Sequence, residues 1–316
     1  MTHLPMFFNE NYFQTNIILQ SIVNGLSNGV LYAFLALALV FVYKTSAQLN
    51  FAQGEMAMIG AFLVFQISLS LGINLWLAVP IAMGAMFLVG AVSWRYLLRP
   101  VVSRGGYAPL IVLLAIFLFL NAGGSVVWGT SPREGVAPLP SGLDAQLQVV
   151  GGVPDVHITF AALGGMAIML SAYALLEVWL RRTRMGLGYR AVTSNPESAE
   201  YLGINRNTLL TIGWGISAAL SVLVGILFSQ QSGLLHSNLM LNGLLFGFAA
   251  AALGGFDSLH GAIFGGLIIG LLEATIPNAI SWIGPSMNVA VALLVIFLVL
   301  VFKPSGLFGS EKVVRP

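Results

Sequence analysis

Residues 17–44 of the chain are IILQSIVNGLSNGVLYAFLALALVFVYK, a run of 27 uncharged residues followed by Lys44. About 20 apolar residues in helical form span the roughly 30 Å hydrocarbon core of a bilayer. A longer run crosses the bilayer with a tilt or extends past it. The run therefore predicts a transmembrane helix whose charged end remains on one side of the membrane.

Eight further apolar segments have similar lengths. With the first, they are residues 17–43, 49–70, 75–94, 108–128, 158–180, 208–230, 239–254, 261–276 and 286–302. Hydrophobic residues make up 58% of the chain and charged residues 8%, with a mean hydropathy of +0.91. Soluble domains carry about 25% charged residues. We expect one all-α polytopic membrane domain over residues 1–316, with about nine membrane segments, some of them broken or re-entrant.

The basic residues are distributed asymmetrically across these segments. When alternate segments cross in opposite directions, twelve of the 13 Lys and Arg residues share one side with Lys44, and only Arg133 lies opposite. Cytoplasmic flanks retain Lys and Arg during insertion. We therefore predict an amino terminus outside, a cytoplasmic carboxyl terminus, an external loop at 129–157 and a cytoplasmic loop at 181–207.

The two hydrophilic loops differ in composition. Residues 129–157 contain four prolines and several glycines, which favours an irregular loop. In the other loop, Asn195-Pro196-Glu197 followed by Gly203 is typical of a capped helix, predicted at 196–202. The residues alone also fit an ordinary connection with one helical turn.

Small residues recur at helical spacing in several segments, as in Gly25, Gly29 and Ala33. Such rows let helices pack closely in membranes. Segments 239–254 and 261–276 would each be about 24 Å long as helices, shorter than the bilayer core. They are interpreted as a thin hairpin or as a re-entrant pair that does not cross fully.

The chain lacks the common sequence motifs for nucleotide binding, metal binding and hydrolysis. It has no Cys, no phosphate-binding loop, no His-Glu-x-x-His and no Gly-x-Ser-x-Gly, and its four histidines lie in separate loops. We expect no catalytic residues and no metal site. The net charge of +2 does not indicate nucleic-acid binding, because the basic residues flank apolar segments.

Four carboxylates lie in or beside the apolar segments. Glu177 should pair with Arg181 four residues later, Asp257 should be a solvated turn residue, and Glu273 could be hydrated at the outer end of its segment.

Glu55 follows the polar Asn50–Gly54 stretch, which suggests a broken helix and a solute route. The predicted pathway residues are Asn24, Asn28, Asn50, Gln53, Gly54, Glu55, Asn121 and Asn242. For any single neutral residue, helix packing is the favoured interpretation, whereas a pathway is favoured for the Asn50–Glu55 group.

The chain resembles permease subunits of bacterial ABC importers for branched-chain amino acids, a family that includes urea-transporter permeases. The stretches that carry the resemblance are Asn24–Tyr43, Leu49–Met56 with its Asn-Phe-Ala-x-Gly motif, Arg184–Ala191, Glu200–Asn205, Ala251–Gly255 and Gly261-Ala262. Gln53 stands where His is often seen. The similarity covers roughly residues 17–308.

The resemblance implies a subunit of an inner-membrane importer, with a second similar permease, two cytoplasmic ATPases and an external solute-binding protein. ATP and Mg²⁺ would act on the ATPases, with no cofactor in this chain. The short cytoplasmic helix would dock into an ATPase groove. The docking residues implied are Arg190, Asn195, Pro196, Glu197, Glu200, Tyr201 and Gly203.

Other functions stay open at this stage. The imported solute could be a branched-chain or other small apolar amino acid, or urea or a short amide. A secondary carrier or channel for a small neutral solute is the main rival, and a membrane-embedded enzyme is a third alternative.

Overall fold

A computed structural model describes residues 10–140, 145–151, 155–279, 287–303 and 305–309. The structure is mainly helical. The helices are α1 (Glu10–Ser46), α2 (Gln53–Phe65), α3 (Leu75–Val92), α4 (Arg99–Val102), α5 (Ala108–Trp128), α6 (Phe160–Arg182), α7 (Arg184–Ser194), α8 (Pro196–Tyr201), α9 (Arg206–Ser232), α10 (Leu241–Gly254), α11 (Leu259–Ala279) and α12 (Asn288–Phe302). Single π-helical segments, Gln66–Ser70 and Ser93–Leu98, extend α2 and α3.

Each predicted apolar segment overlaps one of these helices. Six helical stretches of the described chain are long and apolar enough to cross a membrane: Thr15–Ser46, Leu75–Val102, Ala108–Trp128, Phe160–Arg182, Arg206–Ser232 and Leu259–Asn278. Helices α10 and α12 are shorter and also apolar. The chain is therefore a helical protein with at least six candidate membrane spans, while nine crossings and the sidedness stay predictions.

The eighth segment is longer than its sequence indicated. Helix α11 has 21 residues rather than 16. Its start is stabilised because the Gly261 amide donates to Ser258 Oγ at 3.0 Å. Its end lies beyond the predicted residue 276, with Pro277 inside the helix. This helix is thus long enough for a full crossing.

Helix α1 is the centre of the bundle. Every residue from 30 to 42 is buried, because α9, α10 and α11 surround this part of α1. The glycine rows explain the contact with α11. A Cβ added to Gly270 would lie 2.3 Å from the Gly29 nitrogen, and one added to Gly266 would lie 2.2 Å from the Ala33 nitrogen. The predicted small-residue packing is confirmed here.

Helices α2 and α3 pack on the other side of α9 by the same means. A Cβ at Gly225 would meet the Ala57 carbonyl oxygen at 2.0 Å, and one at Gly90 would meet the Trp214 carbonyl oxygen at 2.3 Å. By contrast, α5 and α12 expose large apolar side chains such as Phe119 and Phe302. A rim of this kind fits contact with lipid.

The loop between α5 and α6 is more ordered than predicted. It contains β1 (Arg133–Glu134), β2 (Gln146–Val150) and β3 (Val156–Thr159). Strands β2 and β3 form an antiparallel hairpin, and β1 pairs with β4 (Leu234–Leu235). The prediction of an irregular loop was wrong in this part, because β1 gains its hydrogen bonds from a partner about a hundred residues away.

Candidate functional site

Asn50 and Gln53 form a buried junction between helices. Asn50 Nδ2 donates to Gln53 Oε1 at 2.7 Å, and the Asn50 side-chain oxygen accepts from the Ala52 amide at 3.1 Å. Gln53 Nε2 reaches across to α9, with Ser217 Oγ at 2.9 Å and Ser221 Oγ at 2.5 Å. Ser217 in turn donates to the Ala38 carbonyl of α1 at 2.8 Å. The polar stretch precedes α2 rather than breaking it, and it joins α1, α2 and α9.

Glu55 lies on the first turn of α2 and is 3% exposed. Its Oε2 accepts from Asn121 Nδ2 of α5 at 3.1 Å. The same amide nitrogen contacts the Ser237 carbonyl at 3.1 Å, in the connection between α9 and α10. The structure therefore brings two predicted pathway residues, Glu55 and Asn121, into direct contact. A buried carboxylate among neutral donors can bind a cationic or amide group.

Glu273 is part of a second polar group, between α11 and α1. Asn28 Nδ2 donates to Glu273 Oε2 at 3.3 Å, and the Tyr32 hydroxyl donates to the same oxygen at 3.4 Å. Gln231 Nε2 at the end of α9 donates to Asn28 Oδ1 at 3.2 Å. Glu273 is 7% exposed, so the expectation of a hydrated residue was wrong. Helix α1 covers it, a contact that the position within its own segment does not reveal.

The remaining pathway candidates are dispersed. Asn24 is exposed and accepts from Gln20 Nε2 at 2.8 Å. Asn242 is exposed on α10, and Gly54 packs against Leu244, where an added Cβ would lie 3.2 Å from the Leu244 Cβ. The eight candidates thus occupy several places, and their role in translocation stays a prediction.

The connection between α6 and α9 contains two helices. Asn195 Oδ1 accepts from the Ser198 amide at 3.0 Å, Pro196 takes the first position of α8, and Gly203 has a φ of +80°. These are the capping roles assigned from the sequence. Helix α7 was missed, because Gly186 and Gly188 lower its helix propensity. Thr183 Oγ1 caps α7 by accepting from the Gly186 amide at 2.9 Å.

Helix α7 is anchored to the bundle through Tyr189. Its ring stacks on Phe41 of α1, with centroids 4.7 Å apart, and its hydroxyl donates to the Phe41 carbonyl. Burial raises the pKa of Tyr189 far above its usual range, so the phenol keeps its proton as a donor. Val192, Ala199 and Leu209 form a small apolar cluster that joins α7, α8 and α9.

The side of α8 that faces away from the Val192–Ala199–Leu209 cluster is exposed. Tyr201 is 90% exposed and Leu202 is similarly open. Among the docking candidates, Arg190, Glu197 and Glu200 are also exposed. Nearby, Arg181 Nε pairs with Glu177 Oε1 at 2.5 Å, which confirms the predicted ion pair. The segment thus presents one turn of helix held by buried contacts.

Within the described ranges, no group of three or more His, Cys, Asp or Glu side chains could hold a metal ion.

Residues 21–302 match the family described as branched-chain amino acid transport system / permease component. The chain belongs to this family. The match includes both buried carboxylate groups and the α7–α8 segment, so the resemblance found in the sequence is confirmed.

Curated members of this permease family align over nearly the whole chain. The high-affinity branched-chain amino acid transport system permease protein LivH of Salmonella typhimurium is 30% identical, over 93% of this chain and 96% of its own length. BraD of Pseudomonas aeruginosa, of the same description, is 29% identical over 93% and 97%. A probable LivH of Methanocaldococcus jannaschii is 26% identical over 89% of each.

One solved structure also resembles the fold. PsaBC from Streptococcus pneumoniae in complex with Fab has a TM-score of 0.45 at 16% identity, over 93% of each chain.

Several polar residues of this permease were not singled out by sequence reasoning. Tyr32, Gln231 and Ser237 complete the two carboxylate groups. Tyr32 stands four residues after Asn28, so the helical face of Asn24 and Asn28 could have included it. Ser217 and Ser221 stand four residues apart, a spacing of small residues that is typical of helix packing, and they also accept from Gln53.

Proposed function

We propose that this chain is the permease subunit of an ATP-driven importer that carries branched-chain or other small apolar amino acids across the bacterial cytoplasmic membrane. The observation that carries the proposal is the family match over residues 21–302. LivH and BraD, which are described as permeases of branched-chain amino acid transport systems, support the same solute class. Urea or a short amide is the alternative solute.

The proposed topology has nine membrane segments, with the amino terminus outside and the carboxyl terminus in the cytoplasm. The distribution of twelve of 13 basic residues supports this orientation. In this topology α7 and α8 lie on the cytoplasmic face, and the β2–β3 hairpin lies outside. A solute-binding protein would then contact the hairpin side, where Leu147 and Val149 are exposed.

ATP hydrolysis is assigned to partner chains. The sequence has no phosphate-binding loop with its lysine, so two ATPase subunits would bind ATP and Mg²⁺. Helix α8 would enter an ATPase groove, with Tyr201 and Leu202 as its exposed apolar contacts. Motion of α8 would reach α1 through α7, because Tyr189 is attached to Phe41.

The solute route is proposed along the two carboxylate groups. Glu55 with Asn121, and Glu273 with Asn28, both contact residues at the end of α9 or just after it. A second permease subunit would supply the opposite wall. A carboxylate with neutral amides beside it suits an amino acid as the solute. These polar groups can bind the ammonium group of the amino acid, while apolar neighbours accept the amino acid's side chain.

Transport in proteoliposomes tests this function. The permease is reconstituted with the ATPases and second permease encoded beside it, and labelled leucine is offered with the binding protein. We expect uptake that requires ATP and is not competed by urea. Uptake by this chain alone without ATP would support a secondary carrier, and urea uptake would support the alternative solute.

A further inference from the structure

A cavity of about 660 Å³ opens beside the end of α3, where Ser93–Leu98 and α4 face the start of α9. Three arginines line it, Arg95, Arg99 and Arg206, against one carboxylate among its lining residues, Glu200. In the part of the chain that the structure describes, none of these arginines takes part in an ion pair. The cavity therefore carries an excess of positive charge.

Buried donors at this cavity also lack partners. Trp94 lines it and is 3% exposed, and its indole Nε1 has no hydrogen-bond partner among the described residues. The same holds for Nε of Arg206. Buried N–H groups are normally satisfied. Three arginines without an ion pair among the described residues, one of them with an unsatisfied Nε, and the unsatisfied indole of Trp94 indicate a place for an acceptor that carries negative charge.

The first turn of α9 adds to this field. An adjoining pocket of about 220 Å³ is lined by Arg95 and Arg99 and by Asn207, Thr208 and Thr211 at the start of α9. The amino-terminal end of a helix carries partial positive charge and favours anions. Arg95 and Arg99 line both pockets.

An apolar groove is lined in part by the same Ser93–Leu98 segment of the chain. It has a volume of about 580 Å³ and runs between α3 and α5, with Leu88, Val92, Ile116 and Phe119 among its lining residues. Leu97 also lines the groove and stands between Arg95 and Arg99 in the sequence. Neighbouring residues of the Ser93–Leu98 segment therefore line both the charged cavity and the apolar groove.

We propose that this cavity and groove together bind an anionic phospholipid, with its phosphate among Arg95, Arg99 and Arg206 and an acyl chain along the α3–α5 groove. Charge complementarity sets the headgroup, since basic residues at the end of a membrane helix attract anionic lipids. A soluble phosphate would use only the cavity, and a protein helix would fill only the groove. The proposal needs the chain to lie in a bilayer, and it does not depend on which solute is transported.

Native mass spectrometry of the purified transporter tests the proposal, with phosphatidylglycerol and phosphatidylcholine added in turn. We expect the wild type to retain phosphatidylglycerol selectively. The variant Arg95→Gln with Arg99→Gln should lose roughly 25-fold in affinity, about fivefold for each arginine. Arg104→Gln is the matched control, because this exposed arginine lies nearby and does not line the cavity. It should bind as the wild type does.

Two further variants separate the parts of the site. Trp94→Phe removes the indole N–H and keeps a ring beside Trp214, and it should weaken binding. Ala115→Trp fills the groove without a change of charge, and it should also lower retention. Size-exclusion profiles and uptake assays show that each variant is folded.

Three results would overturn the proposal. Equal retention of phosphatidylglycerol by the wild type and the double arginine variant would remove the headgroup site. Binding of glycerol 3-phosphate as tightly as the lipid would assign the cavity to a soluble anion. Crosslinking of Phe119→Cys to another subunit would show that protein covers the groove.

Discussion

The ring of Tyr189 lies flat on the ring of Phe41, 4.7 Å between centroids and 5° from parallel, and its hydroxyl donates to the Phe41 carbonyl. This contact joins α7 to the central helix α1. Removal of the ring by Tyr189→Ala should destabilise the protein by about 3–5 kcal/mol, as for other buried aromatics. Tyr189→Phe should cost about 1 kcal/mol, because it loses only the hydrogen bond. Thermal unfolding of the purified transporter measures both.

The control for this prediction is Tyr107→Ala. Tyr107 is 82% exposed, and its loss should leave stability unchanged. Equal destabilisation by Tyr107→Ala and Tyr189→Ala would contradict an anchoring role for Tyr189.

Tyr201 is 90% exposed, so its side chain contributes little to the stability of the isolated chain. Tyr201→Ala should therefore leave unfolding unchanged and lower ATP-driven uptake at least about tenfold, if Tyr201 is a central contact with the ATPase. Asn195→Ala should act through the fold of α8, because it removes a cap that contributes about 1 kcal/mol. Uptake and ATPase assays on the reconstituted transporter, together with unfolding, distinguish loss of docking in Tyr201→Ala from loss of the helix cap in Asn195→Ala. Normal uptake by Tyr201→Ala would exclude the docking role.

Glu55 and Asn121 should act as a pair. Glu55→Gln keeps the shape and removes the charge, so we expect the transporter to fold and its apparent affinity for leucine to fall about tenfold. Glu134→Gln, on the exposed strand β1, is the matched control. Dose–response curves of uptake give the result. An unchanged affinity in Glu55→Gln would place the solute elsewhere.

Gly270 permits the close contact of α11 with α1. Gly270→Ala would place a methyl group 2.3 Å from the Gly29 nitrogen, and we expect a loss of about 1–3 kcal/mol from overpacking. Gly84 has open space where a Cβ would be added. Gly84→Ala should be neutral or stabilise by up to about 1 kcal/mol. Comparable unfolding midpoints for the two variants would refute the packing argument.

Local patterns predicted much of this structure. Apolar runs located the helices, since each buried or lipid-facing helix must be apolar over its length. The small-residue rows indicated close helix contacts, and Gly25, Gly29, Gly266 and Gly270 do meet between α1 and α11. Asn195, Pro196 and Gly203 specified α8, because capping depends on neighbours within a few residues.

Contacts between distant parts of the chain could not be predicted in this way. Glu273 is buried by Asn28 and Tyr32, more than 240 residues earlier in the chain. Strand β1 exists through its pairing with β4. Gln53 meets Ser217 and Ser221 across the bundle. A single sequence read alone carries no signal for such pairs.

The proposed role of α8 depends on its facing the compartment where ATP is hydrolysed. The chain has no cysteine, so single-cysteine variants Tyr201→Cys on α8 and Gln148→Cys on β2 report their positions without background. A membrane-impermeant maleimide added to intact cells should label position 148 at once and position 201 only after permeabilisation. Labelling of position 201 in intact cells, with position 148 protected, would contradict ATP-driven coupling through α8.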